Sequence, residues 1–179
     1  MTTNKQRASF NDILTGMDIA ITSDSNGNQF GWTYVTSAQA LRQASLSLAN
    51  NGARLCTITA FNEDKFAEGS DMELVYNFDL DGAVLSLCIR LTPEACTIPS
   101  IVDHFPNADW HEREFAELFD IELTGREKPE RLFLDPCIDT GIFHRLIPLS
   151  SMMNGATTKQ LWETIFAETA MPDWAKEAK

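Results

Sequence analysis

The chain has 179 residues, 44% of them hydrophobic, and 26 acidic against 14 basic side chains leave a formal net charge of −12. That length suits one domain able to bury a core, and the composition is that of a globular chain rather than a disordered one. The charge opposes nucleic-acid binding and adhesion to an anionic bilayer, both of which need clustered Lys and Arg, and no run approaches the roughly 20 apolar residues of a membrane-spanning helix.

The amino terminus, Met1-Thr2-Thr3-Asn4-Lys5-Gln6-Arg7, is polar and leads into no secretory apolar stretch. Cys56, Cys88, Cys96 and Cys137 form no Cys-x-x-Cys pair. They are expected to be free and mostly buried thiols in a reduced compartment, and their spacing argues against an iron–sulfur cluster in this chain.

Residues 8–35 read as short apolar pieces around an exposed loop at Asp24-Ser25-Asn26-Gly27-Asn28. Trp32-Thr33-Tyr34-Val35 reads as a strand. Ser37 then caps a helix with Ala40, Leu41, Ala44 and Leu48 on one stripe, and Asn50-Asn51-Gly52 ends it. Arg54 to Phe61 resumes a strand pattern, completing a strand–helix–strand unit. Met72, Leu74, Tyr76, Phe78 and Leu80 alternate with Glu73, Val75, Asn77 and Asp79. After Asp81-Gly82 the alternation resumes with Leu85, Leu87, Ile89 and Leu91. Period-two patterning about an Asp-Gly pair predicts a hairpin with one face buried.

Thr92-Pro93 stops that strand, and Pro99-Ser100 opens a short helical piece from Ile101 to about His104. Asn107 or Asp109 can cap the next helix. Beyond Ile121 the chain is irregular, punctuated by Gly125, Pro129, Pro136, Gly141 and Pro148. Residues 157–170 form a last helix with Leu161, Trp162, Ile165 and Phe166 on one face, and the tail beyond Pro172 is expected to be poorly ordered without a partner. The fold class is α+β: a small mixed or antiparallel sheet with helices on one face, followed by an extended irregular arm. The divisions are 1–121, the domain ending in a charged helix; 122–156, the arm; and 157–179, the C-terminal helix and tail.

The charged helix holds the densest information. Residues 110–121 contain six ionisable and five large apolar side chains. At about 100° per residue, Phe115, Leu118 and Phe119 share the buried stripe, Glu112 and Glu114 border it, and Arg113, Glu117 and Asp120 lie on the far crest. Arg113 and Glu117 can pair four residues apart, but such a pair is worth only about 0.2–0.5 kcal/mol. Taken alone, the pattern fits a solvated charged face. His111-Glu112 begins a His-Glu-x-x-His motif whose second histidine is replaced by Phe115, and Pro106 separates His104 from His111, so no metal site is expected. Glu112 and Glu114 diverge by about 160° around the helix, too far to face one substrate. No phosphate loop or nucleophile elbow is present, and Cys137 with His144 is the one nucleophile pair left open.

The same segment resembles the signature of the thirty-kilodalton subunit family of respiratory complex I. That family includes the equivalent subunits of membrane-bound energy-converting hydrogenases and formate hydrogenlyase. Glu112-Arg113-Glu114 match its Glu-Arg-Glu, Glu117 stands at its acid, and Leu118-Phe119, Ile121, Gly125 and Arg131-Leu132-Phe133-Leu134 follow in order. Ile98 to Val102 and Pro106 to Trp110 resemble the approach to the motif, and His144 to Leu149 is a weaker echo of its closing element. Asp120 replaces the usual Gly before Ile121, Arg126-Glu127 replaces a usual His-Pro, and Glu130 replaces the first Arg of a pair. These departures lean toward the hydrogenase-like members.

The resemblance implies a peripheral subunit of a complex I-like oxidoreductase (an NADH-quinone oxidoreductase or a membrane-bound hydrogenase), on the cytoplasmic side of the inner membrane, with no catalytic residue, metal or cofactor of its own. It would pack on the large subunit that holds the quinone or nickel–iron site and meet other peripheral-arm subunits, with the iron–sulfur clusters in its partners. Glu112, Arg113, Glu114, Glu117 and Arg131 would then serve a partner interface, and a partner would order residues 122–150. Two readings from other classes stand beside it: a free-standing enzyme using carboxylates of the charged helix, and an unrelated binding module. An arm extended over the domain with exposed apolar side chains separates the peripheral-subunit reading from both.

Overall fold

The Asp81-Gly82 pair sits at the centre of the architecture. Both residues have positive φ, 51° and 83°, as a two-residue hairpin turn matching the strand twist requires. They join β4 (Met72–Leu80) to β5 (Ala83–Leu91), antiparallel and in register from Met72↔Leu91 to Leu80↔Ala83. The structure, a computed structural model, describes residues 10–62, 71–136 and 138–144. The expected helix at 157–170, the tail, the boundary at 156 and Cys137 lie outside the described residues.

Around that hairpin the sheet is completed by β1 (Ala20–Ser23), β2 (Gln29–Tyr34) and β3 (Arg54–Asn62), in the order β1-β2-β5-β4-β3. β2 runs parallel to β5 and every other pairing is antiparallel. β2 and β3 therefore run parallel with the hairpin inserted between them, joined by α2 (Ala38–Asn50). The Ser37 side chain caps α2 by accepting from the amide of Ala40 at 3.1 Å, and Gly52, at φ 78°, turns the chain out of it. One strand escaped the sequence reading. β1 pairs with β2 across the Asp24–Asn28 loop, whose Asp24 carboxylate accepts the amides of Asn26 and Asn28 at 2.8 Å each.

The core lies on one face of the sheet. Leu74, Tyr76, Phe78, Leu85 and Leu87 are fully buried there beneath Leu41 and Leu48 of α2 and Phe115 of α3 (Ala108–Leu118). A short helix α1 (Phe10–Ile13) also reaches this face. Gly31 admits it closely, since a Cβ there would stand 2.9 Å from Leu85 Cδ1 and 3.0 Å from Phe10 Cδ2. The expectation of a hairpin with only one buried face is corrected. Glu73, Val75, Ser86 and Cys88 point the other way and are buried as well. β4 and β5 are interior strands, so these short or paired side chains are flanked by larger ones on neighbouring strands: Cys88 lies opposite Tyr34, Ser86 opposite Trp32, and Glu73 opposite Phe61.

After a 3-10 turn at Pro93–Ala95, β6 (Thr97–Pro99) and β7 (Glu122–Thr124) form a separate parallel pair that brackets α3 in sequence. Parallel strands require a crossover, and α3 supplies it. The helical piece expected from Ile101 is a single turn, with the amides of His104 and Phe105 both donating to Ile101 O at 2.9 Å. Asn107 occupies the N-cap of α3 without capping it through its side chain, which instead donates to Leu55 O of β3 at 2.9 Å.

Candidate functional site

On α3, Phe115 is buried on the core side as the periodicity requires. Two glutamates on the same helix are buried with it, and each is surrounded by donors. The Glu112 side chain is 1% exposed. Its Oε1 accepts the amide of Ile101 at 2.7 Å, and its Oε2 accepts the Ser100 hydroxyl at 2.7 Å and Arg126 Nη1 at 3.1 Å. Arg126 also donates to Asp109 Oδ1 at 2.6 Å. A buried carboxylate persists only when its charge is paired and its lone pairs are filled, and this one meets both conditions. Burial would lower the Arg126 pKa, but the hydrogen bonds to Asp109 and Glu112 outweigh it and hold the guanidinium protonated.

Glu117 performs a second task. Its Oε2 accepts the amides of Leu132 and Phe133 at 3.0 and 2.9 Å, and its Oε1 accepts the amide of Leu134. Three consecutive amides thus converge on one carboxylate, as in backbone anion-binding concavities. Beside it, Arg113 donates to Glu130 O and Arg131 O, both at 2.8 Å. Arg131 turns its guanidinium on the carbonyls of Asp135 and Ile138. The amide of Gly141 donates to Glu117 O at 2.9 Å. Near the end of the described arm, Asn62 Nδ2 donates to Phe143 O at 3.2 Å, and the Phe143 ring meets Phe119 edge-on at 5.2 Å.

The helical wheel therefore needs correction in three places. Glu117, expected on the exposed crest, is 3% exposed because the arm returns across that crest. Arg113 pairs with Asp109 at 3.7 Å, since Glu117 is occupied by the arm. Leu118, expected in the buried stripe, is only half-buried. A wheel reports a helix against its own core and is blind to a segment returning from farther along the chain. Of the five residues expected at an interface, Glu112, Arg113, Glu117 and Arg131 hold this chain's own backbone, while Glu114 is half-exposed and makes no hydrogen bond among the described residues. Through the described part of the arm, these internal ties fix the backbone onto α3.

Two residues acquire roles that sequence reasoning missed. Arg126 was legible only as a departure from a pattern, yet it is the counter-ion of Glu112. Asp120, where the resemblance expects glycine, has φ 53°. That left-handed conformation favours glycine and tolerates Asp better than most side chains, and the Asp120 carboxylate accepts the Thr140 hydroxyl, a further tie to the arm.

The chemistry open to these groups is holding. Glu112 has no access to solvent for acid–base work, and Glu117 has its oxygens filled by amides. Below Glu112, the Tyr76 hydroxyl is fully buried without a hydrogen-bond partner among the described residues. Burial first, and the Glu112 charge second, push its pKa up, so the phenol stays protonated. His104 Nδ1 lies 3.0 Å from Ser45 Oγ, a contact between α2 and the turn that precedes α3. Among the described residues no group of three or more His, Cys, Asp or Glu is arranged to hold a metal ion. Of the thiols, Cys56 is exposed, Cys96 half-buried and Cys88 buried, so the expectation of mostly buried thiols holds for only part of the set.

Known proteins share both this sequence pattern and this fold. A family model for the respiratory-chain NADH dehydrogenase 30 Kd subunit matches residues 14–159. The chain is 32% identical over 137 residues to the C/D subunit of the NADH-quinone oxidoreductase of Gluconacetobacter diazotrophicus, covering 70% of this chain and 22% of that protein. It is 37% identical over 60 residues to the C subunit of the NADH-quinone oxidoreductase of Rhodopseudomonas palustris, covering 34% of this chain and 29% of that one. The chain thus spans about a fifth to a third of the length of the curated relatives it matches. Among solved structures, its fold is similar to a chain of the membrane-bound sulfane sulfur reductase, an archaeal respiratory membrane complex, with a TM-score of 0.57 and 19% identity over 71% of this chain and 74% of that one.

Proposed function

The chain belongs to the respiratory-chain NADH dehydrogenase 30 Kd subunit family, and on that premise we propose that it is a non-catalytic peripheral subunit of a complex I-like oxidoreductase. Its task is to pack against and support the large subunit that holds a quinone or nickel–iron site. The observation that carries this reading is the extent of the family match, which runs through the α+β domain, the charged helix and the arm as one unit. The internal arrangement supports it, because the two buried carboxylates of α3 are engaged within the chain, Glu112 with Ser100, Ile101 and Arg126 and Glu117 with the arm, rather than offered to a substrate. Phe133 and Phe143 of that arm remain exposed.

In this reading the chain binds no cofactor, and iron–sulfur clusters and the quinone or nickel–iron site belong to its partners. The complex sits at the cytoplasmic face of the inner membrane, with this chain on its peripheral side. No helix among the described residues is long and apolar enough to cross a membrane. The Gluconacetobacter relative bears both letters, C and D, in one protein. A D-type neighbour is accordingly the first partner to seek. The test is affinity purification of the tagged full chain from its own cells under mild detergent, with co-purifying proteins identified by mass spectrometry. Recovery of a quinone- or nickel–iron-type large subunit in near-equal amount is expected. A chain recovered alone overturns the reading.

A further inference from the structure

The two most exposed large hydrophobic side chains among the described residues are Trp110, at 64%, and Phe133, at 63%. They are separate in sequence, and both border one crest of α3. Trp110, Arg113 and Glu117 stand at i, i+3 and i+7 and so lie along one crest of α3, Trp110 about 10 Å along the axis from Glu117. Phe133 is brought to that crest by its amide, bonded to Glu117 at 2.9 Å. Leu132 and Leu134 on either side are half-buried while Phe133 is exposed, in a bent stretch whose three amides turn in to Glu117 and leave the Phe133 ring in solvent. The backbone beneath both rings is already fixed, on one side by the helix and on the other by three amides held on one carboxylate. Anchors held in place before binding lose little further freedom on association.

The surroundings of the pair are acidic. Glu114 from the helix and Glu127 and Glu130 from the arm are half or fully exposed. Of the nearby cations, Arg113 and Arg131 are turned to backbone carbonyls, which leaves Lys128, exposed between Glu127 and Glu130, against three carboxylates. With the whole chain at −12, a second copy presenting the same acidic rim is disfavoured, as is an anionic membrane or nucleic acid.

We propose that Trp110 and Phe133 are the paired aromatic anchors by which this chain docks on the large subunit of its complex, entering apolar pockets that are rimmed by Lys and Arg. This rests on the peripheral-subunit reading above and adds to it the contact surface and the chemistry of its counterpart. Buried aromatic anchors dominate interface energetics, and each truncation is expected to weaken association about thirtyfold or more.

The experiment compares the tagged full chain with W110A, F133A, their double variant, E114K, and W32A/Y34A on the far face of the sheet, each expressed in its own cells and purified at graded salt. Wild type and W32A/Y34A should recover the large subunit. The single aromatic variants should recover at least tenfold less and the double variant none, with melting temperatures unchanged because both side chains are surface groups. E114K should weaken recovery most at low salt, since it sets like charge against a basic rim, and this variant keeps the test intact should an aromatic variant fold poorly. Wild-type-like recovery by the double variant overturns the proposal, as does loss confined to W32A/Y34A, which would move the contact to the sheet face. A wild-type chain that recovers no large subunit sinks the peripheral-subunit reading itself, a different failure.

Discussion

The convergence of three amides on Glu117 sets a quantitative test of how the arm is held. Hydrogen bonds to a charged acceptor contribute about 1.5–3 kcal/mol each. A simple sum overstates the case, because these bonds are partly buried and the amides can hydrate once the arm lifts away. Glu117→Gln keeps one carbonyl oxygen, able to accept two of the amides, and turns an NH2 donor toward the third. It also removes the charge that strengthened all three. The expected cost is about 2–3 kcal/mol, confined to arm docking, because the arm can open without unfolding the sheet. Arg113 still grips Glu130 and Arg131, so the opening is local. In native-state hydrogen exchange, the amides of Leu132, Phe133 and Leu134 should exchange about 30- to 150-fold faster in the variant. Those of Leu74 and Leu87, in the central strands, open only with the whole domain, so they should accelerate by no more than the same factor and remain far slower than 132–134 in both proteins. Two outcomes refute this reasoning: unchanged exchange at 132–134, or exchange there as slow as at Leu74 and Leu87 in the unsubstituted chain, which would make Glu117 part of the global core rather than a clamp.

Other perturbations probe different joints of the structure. Glu112→Gln leaves Arg126 facing a neutral amide at a largely buried site, so urea denaturation should show a loss of about 3–5 kcal/mol, and further substitution of Arg126→Gln should cost less than it does in the unsubstituted chain, because only the bond to Asp109 remains to be lost. Gly31→Ala forces Leu85 and Phe10 to shift from contacts of 2.9 and 3.0 Å, and the same assay should register about 1–3 kcal/mol of overpacking. Burial, then the Glu73 charge, pushes the Cys88 thiol from 9.0 up to about 12. Above the unfolded value the unfolded chain releases a proton that the folded chain retains, so stability should fall as pH rises from 9.0 toward about 12, by up to about 1.4 kcal/mol per pH unit. Cys88→Ala should make that decline in denaturation midpoints shallower, the remainder coming from the raised Cys96 thiol and Tyr76 phenol. In the native protein a thiol reagent near neutral pH should modify the exposed Cys56 and reach Cys88 only on unfolding.

Which of these features could be read from the residues follows from how local their causes are. The hairpin, the α2 helix and its Ser37 cap depend on interactions within a few residues, so alternation, a serine before a stripe and an Asp-Gly pair sufficed. β1 was lost because its residues, Ala20 to Ser23, are all exposed, and a strand without a buried face shows no alternation; only its partner β2 defines it. The charged helix divided along the same line. Phe115 was legible as core, while the fate of Glu112 and Glu117 depended on groups 11 to 17 residues away. What marked them was density: more carboxylates on a short helix than exposed pairing could explain. The resemblance supplied the positions and implied a partner interface for them; within the chain, Ser100, Ile101, Arg126 and the arm amides bond to two of them, Glu112 and Glu117. Asp120 joins the two levels, since a pattern that expects glycine there is the sequence trace of a backbone at φ 53°. That turn carries the chain from α3 into β7, the crossover partner of β6, and so into the arm that Glu117 holds. The signature thus encodes first a way of folding the arm onto α3, and the surface that this folding presents, with Trp110, Phe133 and Glu114 on it, is the one proposed above for docking.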